Sequence, residues 1–193
     1  MLSNLSGYDI ILASGSPRRK ELLAGLGLKF RTFCLPNIDE SYPHDLYAEK
    51  VARYVAEKKA DAYKQIISEN ELYITADTNV VSQDKELGKP SNRQAAIEML
   101  KQLSGREHKV VTGVSIVSQN RHVSFSVETE VKFCDLTADE IAFYVDTYKP
   151  FDKAGAYGVQ EWIGYIGVEN ISGSYFNVMG LPVQRLYQEL KKW

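Results

Sequence analysis

Three groups of residues have types and spacings that could do chemistry. The first is Leu12-Ala13-Ser14-Gly15-Ser16-Pro17-Arg18-Arg19, between an apolar run and a helical pattern. Ser16-Pro17 reads as an N-cap followed by Pro at the first helical position. Helix N-termini offer unpaired N–H groups and the positive end of a dipole, and Gly15 lets a ligand approach the backbone. Two arginines in a first turn oppose that dipole, and a bound anion resolves the conflict. Phosphate suits, because guanidinium presents a planar bidentate fork. The alternative is a capped helix with solvated arginines. No G-x-x-x-x-G-K-[ST] occurs, so this is not a Walker loop.

The second group is Thr75-Ala76-Asp77-Thr78-Asn79. An acid at the C-terminal end of a buried strand sits where α/β proteins place ligands. Ionised there, Asp77 needs a metal or a cationic partner, and hard carboxylate oxygens suit Mg²⁺ or Mn²⁺. A turn Asp accepting backbone N–H bonds is the plainer reading. The third group is basic: Lys58-Lys59, Lys89 in Leu87-Gly88-Lys89-Pro90, and Lys153 in Asp152-Lys153-Ala154-Gly155-Ala156-Tyr157. Lone lysines are usually solvated, but Gly and Pro fix the backbone around Lys89 and Lys153. The Gln160 amide could pair with a nucleobase edge or lie on the surface. Together these groups suit a polyphosphate. Serine hydrolase chemistry fits worse, since no G-x-S-x-G is present, and His44, His108 and His122 match no zinc spacing.

The elements that must position these residues follow from periodicity. Tyr8 to Ala13 reads as a buried strand, and the helix after it carries Leu22, Leu23 and Leu26 and stops at Gly27. Lys29 to Leu35 alternates as a strand, and Asn37 to Pro43 is a polar loop with Asp39 and Glu40. Asp45 to about Ser68 reads as a long helix with a stripe at Val51, Tyr54, Val55, Lys58 and Ala62. Leu72 to Thr75 is a short strand ending at Asp77, and Val80 to Leu87 a hairpin turning at Gln83-Asp84-Lys85. Ser91 caps a helix that buries Ala95, Ala96, Met99, Leu100 and Leu103. Lys109 to Val117 and His122 to Phe133 pair as long strands. Thr137 caps a helix to about Tyr148, Ile163 to Val168 is a strand, and Pro182 starts a last helix ending at Lys191. Helices alternating with partly hairpin-joined strands argue α/β with a mixed sheet.

Composition excludes several classes. The 193 residues carry 23 Lys+Arg and 25 Asp+Glu, a formal net charge of -2. That balance disfavours a duplex nucleic-acid binder, and no stable nucleic-acid partner is expected. At ~150 residues per domain the chain is expected to form a single domain over 1–193, in two lobes around a cleft. No leader peptide and no run of about 18 apolar residues is seen, so a cytoplasmic protein without a membrane partner is expected. Cys34 and Cys134 are far apart and read as reduced, buried thiols.

Five blocks, in order along nearly the whole chain, then resemble the Maf family of nucleoside triphosphate pyrophosphatases. They are Leu12 to Arg19; Ala76-Asp77-Thr78; Leu87 to Pro90 with Leu103-Ser104-Gly105 and His108 to Val114; Asp152 to Gln160; and Gly173-Ser174-Tyr175 with Asn177 to Pro182. The resemblance implies an α/β fold of the inosine-triphosphate-pyrophosphatase type, an elongated mixed sheet flanked by helices with a central cleft. It implies hydrolysis of a nucleoside triphosphate to monophosphate and pyrophosphate with a divalent cation, Mg²⁺ or Mn²⁺. By motif, Asp77 matches the general base, Arg18, Thr78 and Gln160 match selectivity positions, and Ser14, Arg19, Lys59, Lys89 and Lys153 match the phosphate site. Glu40, with Asp77, matches a metal-holding acid. The segment Asp152 to Gln160 resembles the dTTP/UTP subfamily, a house-cleaning activity in which modified pyrimidine nucleotides are also candidates, rather than the one acting on 7-methyl-GTP. Glu161-Trp162 stands where many members have Gly, and Asn79 where an aliphatic residue is common.

The expected mechanism has Asp77, with Glu40 and the cation, direct a water at the α-phosphorus. Arg18, Arg19 and the lysines stabilise the pyrophosphate leaving group. A non-catalytic nucleotide-binding regulator of cell division and a pyrophosphatase for purine nucleotides remain open. A homodimer is also open.

Overall fold

In the computed structural model, which describes residues 2–193, seven strands form one mixed sheet. The chain runs β1 (Asp9–Leu12), α1 (Pro17–Ala24), β2 (Arg31–Thr32), α2 (Ala48–Tyr63), β3 (Glu71–Ser82), β4 (Lys85–Leu87), α3 (Arg93–Leu103), β5 (Glu107–Val117) and β6 (His122–Phe133). It continues through α4 (Ala138–Tyr148), α5 (Trp162–Gly167), β7 (Val168–Ser172), α6 (Tyr175–Met179) and α7 (Val183–Lys191). The sheet order is β2-β1-β3-β5-β6-β7, with β4 added to β3. β1 is parallel to β2 and β3, and the remaining pairs are antiparallel. Met1, which opens the N-terminal stretch read above, lies outside the described residues.

Strand alternation puts Ile74, Ala76, Thr78 and Val80 on one face of β3 and Thr75, Asp77 and Asn79 on the other. The first face carries two apolar clusters. Leu72, Ile74, Ala76, Val114 and Ile116 pack with Leu22 and Leu23 of α1 and Leu186 and Leu190 of α7. Val80, Val110 and Val131 pack with Leu100 of α3, Ile141 and Tyr144 of α4 and Ile163 of α5. Between them lies a polar seam made by the register pair Thr78↔Thr112 and by Asn177. The opposite face is covered by α2, whose buried side is Val51, Ala52, Val55, Ala56, Ala60 and Tyr63.

The structure corrects several boundaries. β3 does not end near Asp77; it pairs with β5 from Tyr73↔Val117 to Val81↔Lys109. Polar residues are tolerated there because Thr75, Asp77, Thr78 and Asn79 all find partners. Ile163 to Val168 is mostly helix, not strand: Ile163 and Gly167 are buried four apart, and short apolar runs do not distinguish the two. The strand expected over 29–35 is confined to Arg31–Thr32, both exposed. α1 ends at Ala24 rather than Gly27, and α2 is shorter than 45–68. Its buried stripe is also rotated, leaving Tyr54 exposed. Asn92, not Ser91, caps α3, accepting from the Ala95 N–H at 2.9 Å. The long β5–β6 pair and the Thr137 cap are as expected, and Glu140 completes a capping box. The β3–β4 hairpin turns at Gln83 and Asp84, both at positive φ. Cys34 is exposed and Cys134 half-buried, so the thiols are free but not core residues.

Candidate active site

A gap in the hydrogen-bond ladder creates the cleft. β1 stops at Leu12↔Ile74, and β4 begins at Val80↔Leu87. Between those points β3 has β5 on one side and no strand on the other. The β1–α1 loop, the Lys89 loop, the Asp152–Gln160 segment and the end of α6 close around this opening and enclose about 480 Å³. Ser14, Arg18, Arg19, Glu40, Lys59, Asp77, Thr78, Lys89, Lys153 and Gln160 all line it. The residues matched by motif are therefore brought to one cavity, whereas Lys58 does not line it and pairs with Asp39 instead. Asp77 and Thr78, on opposite faces of the strand, both reach it because the open edge exposes both sides.

On the α2 side, Lys59 Nζ lies 2.9 Å from Asp77 Oδ1 and 3.2 Å from Glu40 Oε1. One ammonium thus joins a strand carboxylate to a loop carboxylate. The loop is held by Lys58, which donates to Asp39 at 2.6 Å and to the Ser41 carbonyl at 2.9 Å. α2 itself is anchored by two strand side chains that sequence reasoning did not assign. Thr75 Oγ1 donates to the Ala56 carbonyl and Asn79 Nδ2 to the Ala48 carbonyl, each at 2.7 Å. Midway, Gly113 faces Ala52, and a Cβ there would lie 2.3 Å from the Ala52 carbonyl oxygen. The alanine spacing along α2 was the available signal for so close an approach.

On the other side, Arg19 is largely consumed by the protein. Nε donates to the Gly180 carbonyl at 2.8 Å, Nη1 to the Ala76 carbonyl at 2.8 Å and Ser14 Oγ at 3.4 Å, and Nη2 to Thr78 Oγ1 at 3.0 Å. Four of its five N–H groups are engaged. Burial lowers the affinity of this guanidinium for its proton, opposed by the charge of Asp77. The structure thus makes Arg19 chiefly a tether of α1 to β3 and α6, with one N–H left for a phosphate.

The third wall carries the opposing charges. Lys153, nearly buried, lies 2.9 Å from Asp152 Oδ1 and 3.1 Å from Glu161 Oε1. Asp152 also meets Arg18 across the cleft at 3.3 Å. Glu161 accepts from the Tyr144 hydroxyl, which in turn accepts from the Gly158 N–H at 3.0 Å. Burial and the Glu161 charge both push the Tyr144 phenol far above its usual range, so it stays a donor. The sequence marks Glu161 only as a departure from the resembled pattern, and the fold makes it the partner of Lys153. The Gly155 N–H donates to the Gly88 carbonyl at 3.1 Å, which brings the Lys89 and Lys153 loops together. Among the described residues Lys89 has no carboxylate within 4.0 Å, so its charge is free for a ligand.

Behind this wall Tyr157 OH meets the buried His108 Nε2 at 2.8 Å. Burial holds the His108 pKa well below its usual value, at about 4.

Among the described residues no group of three or more His, Cys, Asp or Glu is placed to hold a metal ion, and no helix is long and apolar enough to cross a membrane.

The family model described as Maf-like protein matches residues 9–193. A dTTP/UTP pyrophosphatase of Bacteroides fragilis (strain YCH46) is 57% identical over 192 residues, covering 100% of both chains. Proteins of the same name are 51% identical in Porphyromonas gingivalis (strain ATCC 33277), covering 99% of this chain and 97% of that one, and 44% identical in Flavobacterium johnsoniae, covering 96% and 95%. A solved HAM1 protein from Coxiella burnetii superposes with a TM-score of 0.51 at 17% identity, over 96% of this chain and 100% of that one. That likeness shows the fold alone, an elongated mixed sheet of the inosine-triphosphate-pyrophosphatase type.

Proposed function

This chain belongs to the Maf family, and from that premise we propose that it hydrolyses dTTP and UTP to the monophosphate and pyrophosphate, a house-cleaning activity on the nucleotide pool. The observation that carries this reading is the opposition of charges in one cavity. Asp77 and Glu40 meet on Lys59 at one wall, and Arg18, Lys89 and Lys153 stand on the others. A triphosphate needs a water-activating group at one phosphorus and cations along the leaving group.

The donor set of Asp77 and Glu40 fits a divalent cation. Both present hard oxygens to one positive centre, the Lys59 ammonium, and Mg²⁺ takes one or two carboxylates together with waters and phosphate oxygens. Such an ion, Mg²⁺ or Mn²⁺, when bound supplies a lowered water pKa and charge neutralisation. The chain's own residues do the rest. Asp77, partly buried and fixed in the middle of β3, accepts the proton of a water aimed at the α-phosphorus. Lys59 keeps the Asp77 and Glu40 carboxylates together. Lys89 and Lys153 stabilise charge developing on pyrophosphate, and Arg18 shares Asp152 until a phosphate competes for it. Ser14 and the last N–H of Arg19 complete the phosphate contacts. Gln160 and Thr78 face the base, where uracil and thymine present acceptor, donor and acceptor in turn. Free thiols at Cys34 and Cys134 suit a reducing cytoplasm.

Incubation of the purified protein with UTP, dTTP, CTP, GTP, 7-methyl-GTP and ITP, with Mg²⁺ or Mn²⁺, tests the reading. UMP or dTMP appearing with pyrophosphate supports it. Turnover confined to purines overturns the selectivity, and binding without hydrolysis overturns catalysis in favour of a regulator.

A further inference from the structure

The polar seam across the cleft fixes which way Thr78 can hydrogen-bond. Thr112 Oγ1 lies 3.1 Å from the Asn177 carbonyl. A carbonyl only accepts, so the single hydroxyl proton of Thr112 goes there. Toward Thr78, 2.9 Å away, Thr112 then has only lone pairs, and Thr78 must donate. Arg19 Nη2, at 3.0 Å, can only donate to Thr78. The Thr78 proton and one of its lone pairs are spent, and what it turns to the cleft is one lone pair.

Asn177 cannot swing away to release this arrangement. It is fully buried, and its amide donates to the Val110 carbonyl and to Thr129 Oγ1, both at 3.0 Å. A second acceptor waits in the same cleft: Gln160 Oε1 is buried and has no partner among the described residues.

We propose that Thr112 is a positioning residue that sets the polarity of base recognition, by taking the Thr78 proton and making Thr78 an obligatory acceptor. The matching ligand is an imide base, uracil or thymine, whose N3–H donates. Cytosine turns a lone pair to the same place, and two facing lone pairs repel, a discrimination by mismatch as well as by match. Guanine, whose N1–H also donates, is not separated by this device. The inference rests on the nucleotide-hydrolysing reading above and adds the means of discrimination to it.

The test compares the unaltered protein with Thr112→Val and Thr112→Ser. Two quantities are read: the UTP:CTP ratio of kcat/KM, and the Kd ratio of the non-hydrolysable α,β-imido analogues of UTP and CTP. Valine frees the Thr78 proton, so both ratios should fall roughly tenfold, the weight of one net hydrogen bond. Serine restores the same O–H and should keep the ratios of the unaltered protein. A Thr112→Val protein that loses UTP and CTP activity in parallel, with both ratios unchanged, overturns the proposal and leaves Thr112 structural. Should the valine variant fail to fold, 3-methyluridine triphosphate with the unaltered protein decides. Rejection alongside CTP supports the inference, and turnover like that of UTP overturns it. If the unaltered protein hydrolyses no pyrimidine nucleotide, the functional reading fails. The Kd ratio of the analogues still tests the polarity: a preference for uridine supports it and equal affinities overturn it.

Discussion

Lys59 Nζ and Asp77 Oδ1 lie 2.9 Å apart, joining helix α2 to the face of β3 that it covers. The same ammonium reaches Glu40 at 3.2 Å, so the two acids are gathered on one positive centre. An unpaired carboxylate in a half-closed cleft would be costly, and the lysine removes that cost while leaving a second Asp77 oxygen for water.

Replacing Asp77 with Asn keeps the shape and removes the base. Turnover of UTP should fall by about 100- to 10,000-fold, the range for a lost general base, with nucleotide affinity largely retained. Single-turnover kinetics with a parallel binding titration measures both, and an unchanged rate would contradict the assignment.

Lys89 and Lys153 should behave differently although both line the cleft. Lys89 has no carboxylate partner among the described residues, so Lys89→Met should raise KM for UTP several-fold with the melting temperature unchanged. Lys153→Met should raise KM and also cost about 1–3 kcal/mol of stability, because the partly buried Glu161 loses its cation while still held by Tyr144. Thermal melts and steady-state kinetics of the two variants check the contrast.

Gly113 controls how closely α2 approaches the sheet. A methyl group there meets Ala52 backbone at 2.3 Å, which no rotamer change relieves. Gly113→Ala should destabilise the protein by about 1–3 kcal/mol and lower kcat in the folded fraction, because Lys59 is carried away from Asp77. Urea unfolding read beside activity separates the two effects.

His108 gives a pH dependence with a definite sign. Burial lowers its pKa to about 4, so the folded state holds it neutral where the unfolded chain takes up a proton. Its contribution is fully present above the unfolded value, near 6.5, and is lost as pH falls from there toward the folded value. The loss should be on the order of 2–3 kcal/mol between neutral pH and pH ~4. Urea midpoints at pH 7 and pH 5 should differ less in His108→Gln than in the unaltered protein.

The site was more legible in the sequence than the elements that hold it. Ser16-Pro17, the glycines around Lys153 and the long β5–β6 pair announced themselves through local backbone preference and period. Polar strand residues did not. The strand reads as ending at Asp77 because the partners that satisfy Thr78 and Asn79, Thr112 and Ala48, are distant in the chain. The same holds for Arg19, whose acceptors at Ala76 and Gly180 make it a tether as well as a cation lining the cleft. The apolar residues of α5 suit either period, and the packing of Gly164 against the Val159 carbonyl decides the matter only in three dimensions. Glu161 had to be seen beside Lys153 and Tyr144 before its charge made sense.

Turnover of UTP in water carrying a heavy oxygen isotope, with products resolved by mass, tests most directly whether a water directed by Asp77 attacks the α-phosphorus. Attack there puts one heavy oxygen in UMP and none in pyrophosphate. Label in pyrophosphate, or formation of UDP with labelled phosphate, would place the attack elsewhere and contradict it.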